Sequence, residues 1–310
     1  MGRIDSFCAD DGAVISYRVI GEGDPVILVH GFGMNNTHWI PFIFSLRGKY
    51  QFIIPDLRGF GLSISSYGNY DDVLARHAMD IDCLKTSLGI DKFTLVGYSL
   101  GGLSSLSYLQ MYGDHSLSNL VLIDIMPKLS VSEDWEWSIF GHAGERRMAI
   151  WRGLAKRLHR EIGHAAFERV NFNDLTPKSR LLLARTLGSF FSDAAGKDWA
   201  SKVISRMTHY RSLMDIIYPM KYWNVFFDHA MSFINNDYDF RPVIRNSSVP
   251  TSIISAANSQ VFPYDAQLTM AKEFPNAKVH TLMKSGHMMM LDEPLRFFSI
   301  IRSSLEQKRS

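Results

Sequence analysis

The chain has 310 residues, 46 % hydrophobic and 21 % charged, with a formal net charge of +2. That length buries a large core, and so mild a charge gives no reason to expect a nucleic-acid partner. No run approaches the roughly 18–20 apolar residues of a membrane span. No signal-like apolar region follows Met1, and the two cysteines, Cys8 and Cys83, form no pattern, so reduced thiols and a cytoplasmic location are expected.

A first strand is expected almost at once. It leaves little free arm for an acyl anchor, although Met-Gly-Arg-Ile-Asp-Ser meets the loose myristoylation pattern. Ala13–Ile20, Pro25–His30, Gln51–Pro55, Phe93–Val96 and Leu120–Ile125 then read as strands, with Thr251–Ala257 and Ala277–Met283 as two late ones. VILVH, FTLV and LVLI are continuous apolar runs, the pattern of strands buried on both faces. A mostly parallel, doubly wound eight-stranded α/β sheet with helices on each side is expected.

Between Met126 and about Arg245 strand signals give way to helical patterns. Thr176-Pro177 reads as an N-cap and first-turn proline. In Arg146–Ile162, residues Trp151, Leu154, Leu158 and Ile162 fall on one face, with Arg152, Lys156, Arg157 and Arg160 mostly elsewhere. The basic residues read as a solvated face; the sharper alternative is a docking surface for an acidic acyl carrier or an anionic lipid. Residues 1–126 and 246–310 form the expected core, and 127–245 a helical cap inserted after the sixth strand. That connection lies above the carboxyl ends of the strands, where open α/β sheets bind ligands.

The strongest chemical signal is FTLVGYSLGG, Phe93 to Gly102: a buried strand, then Gly97-Tyr98-Ser99-Leu100-Gly101, then a helical pattern carrying Leu103, Leu106 and Leu109. This is the context of a nucleophile elbow, which holds a serine at a strained turn over a helix N-terminus. With it the chain resembles members of the α/β-hydrolase fold family. VILVHGFGM (26–34) is similar to that family's oxyanion loop, IIPDLRGFGLS (53–63) to its D-x-R-G-x-G-x-S turn, and LMKSGHMMMLDEP (282–294) to its histidine loop. The resemblance implies Ser99 as nucleophile, His287 as general base, and the backbone N–H groups of Phe32 and Leu100 as oxyanion donors. It makes Asp56 a structural turn residue. Asp292 and Glu293 read as helix caps.

SIISAANSQVFP (252–263) offers no acid where many relatives carry one. Matched on the trailing V-x-P, Ser259 takes the aspartate's place, while Asp265 reads as a helix cap. The imidazole still needs an anionic partner. Asp124, at the end of the sixth strand, is the expected acid, because layouts in this fold resemble it and the order Ser, Asp, His is kept.

His30 is expected to serve its loop. His38 is expected to open the next helix; the cap histidines His142, His159, His164, His209 and His229 show no metal-ligand spacing, and no cofactor or metal is implied. A serine nucleophile points to acyl transfer. Hydrolysis of an ester, lactone or thioester of an apolar small molecule is expected, with Trp135, Trp137, the aromatics of Tyr218–Phe227 and Met288–Met290 near the site or in the cap's own core. A C–C bond hydrolase or acyltransferase on the same triad is the alternative within catalysis. A non-catalytic ligand receptor is the alternative outside it.

Overall fold

The computed structural model describes residues 2–66, 68, 70–163, 172–194 and 223–306. Eight strands form one sheet: β1 (Arg3–Cys8), β2 (Val14–Ile20), β3 (Asp24–Val29), β4 (Tyr50–Pro55), β5 (Phe93–Tyr98), β6 (Leu117–Ile123), β7 (Thr251–Ala256) and β8 (Ala277–Leu282). Their order is β1-β2-β4-β3-β5-β6-β7-β8. The β1–β2 and β2–β4 pairs are antiparallel and the rest parallel. This is the expected doubly wound sheet. The central runs are buried end to end, Val26–Val29 in β3 and Phe93–Tyr98 in β5, because helices cover both faces. In β1 only Phe7 is buried, as an edge strand permits.

The expected strands hold apart from a few residues at their ends. The largest difference is at β6, which begins at Leu117 rather than Leu120. Buried Asn119 donates to the Ser304 carbonyl at 2.7 Å, and a register shift at Phe93/Thr94 takes up the extra residue. Polar residues hid a strand start that tertiary contacts satisfy.

The helices packed on the sheet include α1 (Val73–Ser87) and α2 (Leu100–Tyr112). Asp72 caps α1 by accepting from Ala75 N–H at 2.9 Å. Every residue of α2 from Leu100 to Leu109 is buried, as a helix clamped between a sheet and a second helix must be.

Between β6 and β7 the described residues form α3 (Gly144–Ile162), α4 (Pro177–Ala194) and α5 (Trp223–Asn235), with no named strand among them. In α3 Trp151, Leu154 and Leu158 are buried while Arg152, Lys156 and Arg160 are exposed, as the spacing predicts. The Thr176 carbonyl accepts from Arg180 N–H at 2.9 Å and its hydroxyl from Ser179 N–H at 3.4 Å, so it does cap α4. Two contacts fasten α5 and its following loop to α1. Ser232 Oγ accepts from Val73 N–H at 3.1 Å, and the Tyr238 hydroxyl donates to Asp72 at 2.6 Å. His164, His209 and Tyr218–Tyr222 lie outside the described residues. Two longer helices follow β7 and β8, α6 (Tyr264–Glu273) and α7 (Pro294–Leu305). The N-cap of α6 is Pro263, so Asp265 lies in its first turn and is not the expected cap.

Candidate active site

Strand register places the site. Tyr98 pairs with Ile123, and Ile123 with Ile254, so Ser99 and Asp124 leave the sheet at one level. The Ser99 N–H donates to the Ile123 carbonyl and the Asp124 N–H to the Ile254 carbonyl, both at 2.9 Å. Ser99 has φ 54° and Asp124 φ 47°, conformations unusual for side chains with a Cβ. At Ser99 the turn is tight because its flanks are glycines. A Cβ on Gly97 would meet the Gly101 carbonyl oxygen and stand 2.6 Å from Gly102 Cα, and one on Gly101 would press on the Val29 carbonyl. Ser99 is the N-cap of α2 and Leu100 its first residue, so the amide of Leu100 belongs to the partner-free first turn.

His287 lies in the loop after β8. Its Nδ1 is 2.5 Å from Asp124 Oδ2. With the carboxylate accepting, Nδ1 carries the proton and Nε2 presents its lone pair. Asp124 is fully buried, yet its charge is well served. Ser259 Oγ donates to Oδ2 at 2.8 Å, and Gln267 Nε2 donates to Oδ1 at 2.6 Å. Ser259, the residue in place of the missing acid, therefore supports Asp124.

Tyr98 holds the imidazole from the other side. Its ring stacks on His287 with centroids 5.3 Å apart at 25°, and its hydroxyl donates to the His287 carbonyl. Burial, with the charges of Asp124 and Asp292 nearby, pushes its phenol well above its ordinary value. The neutral donor is thereby fixed.

Asp292 and Glu293 do not cap a helix with their side chains. Asp292 accepts from Gly286 N–H at 2.8 Å, and Glu293 from Lys284 N–H at 3.0 Å and from the Ser285 hydroxyl at 2.8 Å. They close the histidine loop on itself. The roles of Tyr98, Gln267 and this acidic pair were not read from the sequence. Only Ser259 carried a signal there, through its alignment with the absent aspartate.

His30 is buried, with Nδ1–H donating to the Gly31 carbonyl at 2.8 Å and Nε2 accepting from Leu57 N–H at 3.0 Å. It shapes the loop that ends in Phe32. Asp56 accepts from Asn36 and Leu62 and serves the turn, as expected. The Phe32 ring meets Phe226 of α5 edge-on at 4.5 Å and Phe60 at 5.1 Å. Beside it is a cavity of about 40 Å³ lined by Phe32, Met148, Trp151, Phe226 and His229 among others, and almost wholly apolar. Trp135 and Trp137 pack on each other at 4.7 Å. Among the described residues no cluster of three or more His, Cys, Asp or Glu could hold a metal ion, and no helix is long and apolar enough to cross a membrane.

Residues 24–294 match the model of the alpha/beta hydrolase fold family. The chain is 24 % identical over 287 residues to a pimeloyl-[acyl-carrier protein] methyl ester esterase of Legionella pneumophila (strain Paris), covering 91 % of this chain and 95 % of that one. Among solved structures it superposes on an esterase from a Rhodococcus species with TM-score 0.71 at 20 % identity, covering 99 % of both chains. It also superposes on a bromoperoxidase from Bacillus anthracis with TM-score 0.72 at 21 % identity, covering 98 % of this chain and 100 % of that one. At such identity these superpositions speak for the fold.

Proposed function

Because the chain belongs to the α/β-hydrolase fold family, we propose that it is a serine hydrolase acting on carboxylic esters, with Ser99 as nucleophile, His287 as base and Asp124 as acid. The observation that supports this most is the His287–Asp124 hydrogen bond at a strand end level with the Ser99 turn. His287 Nε2 takes the Ser99 proton as Oγ attacks the ester carbonyl. The Phe32 and Leu100 amides receive the oxyanion. Protonation of the leaving oxygen by His287 releases the alcohol, and water activated by the same nitrogen frees the acid and Ser99.

Residues 127–245 act as the cap and 1–126 with 246–310 as the catalytic core. The cavity beside Phe32 suits a short apolar acyl or ring substituent. Lactones and thioesters fit the same steps. The Legionella relative is named for a carrier-linked methyl ester, and a row of exposed Arg152, Lys156 and Arg160 on α3 favours an acidic carrier as a second reading of the substrate's other end. The receptor reading leaned on the missing acid of the strand-seven loop, and Asp124 weakens it.

Turnover of p-nitrophenyl esters of increasing acyl length tests the proposal. Acetate and butyrate are expected to exceed decanoate, and Ser99→Ala to abolish turnover. Undiminished activity in that variant rejects the reading.

A further inference from the structure

The backbone of Asp124 is fixed, its N–H tied to the Ile254 carbonyl at 2.9 Å, but its carboxyl group keeps one freedom. The terminal torsion of an aspartate is broad. His287 Nδ1 and Ser259 Oγ both lie on Oδ2, at 2.5 and 2.8 Å. A carboxylate held at one oxygen still pivots about it. Gln267 Nε2, 2.6 Å from Oδ1, removes that pivot.

Gln267 is fully buried and is itself held from two sides. Its Nε2 also donates to the Phe262 carbonyl at 2.9 Å, and its backbone N–H donates to the Pro263 carbonyl at 3.2 Å, at the start of α6. Two acceptors converge on one end of the carboxamide, so that end is the NH2 group. The other end, Oε1, is buried and meets no donor among the described residues. A buried acceptor left in that state is destabilising. The carboxamide is therefore placed for its two N–H groups, one of them on Asp124. Phe262 joins the parts. Its N–H donates to Ser259 Oγ at 3.2 Å, its carbonyl accepts from Gln267, and its ring centroid lies 5.9 Å from that of His287.

We propose that Gln267 is a positioning residue of the acid–base pair. By holding Asp124 Oδ1 it keeps Oδ2 turned to His287 Nδ1, and so fixes the imidazole in one orientation. The catalytic consequence rests on the hydrolase reading above; the clamp on Asp124 rests on the hydrogen bonds alone.

Gln267→Met keeps the length of the side chain and removes both donors. Its kcat on the best p-nitrophenyl ester is expected to fall by about tenfold or more, the scale of one hydrogen bond to a charged group. KM should change little, the pattern of an interaction that matters in the transition state. Gln260→Met, in the neighbouring loop, removes a donor to the Asn258 carbonyl instead and should keep full kcat. Unchanged kcat in Gln267→Met, or an equal fall in Gln260→Met, overturns the proposal.

The low-field proton resonance of His287 Nδ1–H reads the clamp without turnover. It is followed in Ser99→Ala protein and assigned by its loss in His287→Gln. Adding Gln267→Met should broaden it or move it upfield as the carboxylate swings, which keeps the clamp even if no ester is hydrolysed. An unchanged resonance overturns the clamp and leaves the hydrolase reading intact. Should Gln267→Met not fold, Gln267→Asn, whose amide is one methylene too short for Asp124, is read by the same two measurements.

Discussion

Ser259 and His287 share one oxygen, Asp124 Oδ2, at 2.8 and 2.5 Å. Ser259 and Asp124, the proposed acid, therefore converge on one point beside the imidazole. Asp124→Asn should lower kcat by about 10⁴, the loss seen when a triad acid becomes an amide. Adding Ser259→Asp should then restore at least tenfold, measured with the best p-nitrophenyl ester. A double variant no better than the single one rejects this convergence. Tyr98→Phe removes the donor to the His287 carbonyl and keeps the stacked ring. It should lower kcat by about tenfold, the worth of one buried hydrogen bond, with KM and melting temperature little changed. Unchanged kcat would deny Tyr98 its positioning role. Ser99 and His287 were legible because their motifs are local. The support given by Tyr98, Gln267 and Ser259 joins residues more than a hundred positions apart, which a single chain does not display. Glu293 does stand at the N-cap of α7, but its carboxylate and that of Asp292 turn to closer loop amides instead of the helix.

At the scale of elements, β3, β5 and the second half of β6 were visible because burial on both faces leaves the largely apolar runs VILV, FTLV and LVLI. Helix α3 was visible because only one face is buried. The seam between these parts was not. Phe140, in left-handed conformation at φ 69°, donates its N–H to the Val261 carbonyl at 2.7 Å. The loop after β7 thus anchors the entry into the helical segment, and no propensity announces a backbone bond across that distance. The strand–turn–helix element is the least tolerant of added volume. Gly97→Ala drives a methyl group into the Gly101 carbonyl and Gly102 Cα. Overpacking of this kind costs about 1–3 kcal/mol. Denaturant unfolding of that variant should show a lower midpoint, together with reduced turnover as the Ser99 turn opens. Full stability would mean that the elbow relaxes more freely than its close contacts indicate.

Across the whole molecule, three buried histidines from separate elements meet where α5 joins the core: His30 after β3, His77 in α1 and His229 in α5. His77 and His229 rings lie 5.4 Å apart, and His229 meets Phe60 at 5.2 Å and Phe32 at 5.6 Å. Their tautomers are set. His77 Nδ1–H donates to Ser104 Oγ at 3.1 Å, whose own proton goes to the Leu100 carbonyl, and His229 Nδ1–H donates to the Val225 carbonyl at 2.7 Å. Desolvation lowers all three pKa values, to about 4 for His30 and His229. Arg58, Arg76 and the neighbouring histidines push the same way on His77, and Asp56 opposes on His30. The unfolded chain takes up these protons near pH 6.5, and the folded chain resists until about pH 4. Stability present above pH 6.5 is therefore lost as pH falls through that window. From pH 7 to pH 5 the loss is about 2 kcal/mol for each histidine held near 4. Asp80, whose carboxyl burial pushes up, works against it. Urea unfolding at the two pH values should show the fall, and His229→Phe should make it smaller. A fall unchanged by His229→Phe would place the acid sensitivity elsewhere. Because His229 touches Phe32, acid that charges this cluster in the folded chain loosens the joint between α5 and the Phe32 loop, so this effect on activity should appear only as pH nears about 4, below the range in which stability first falls.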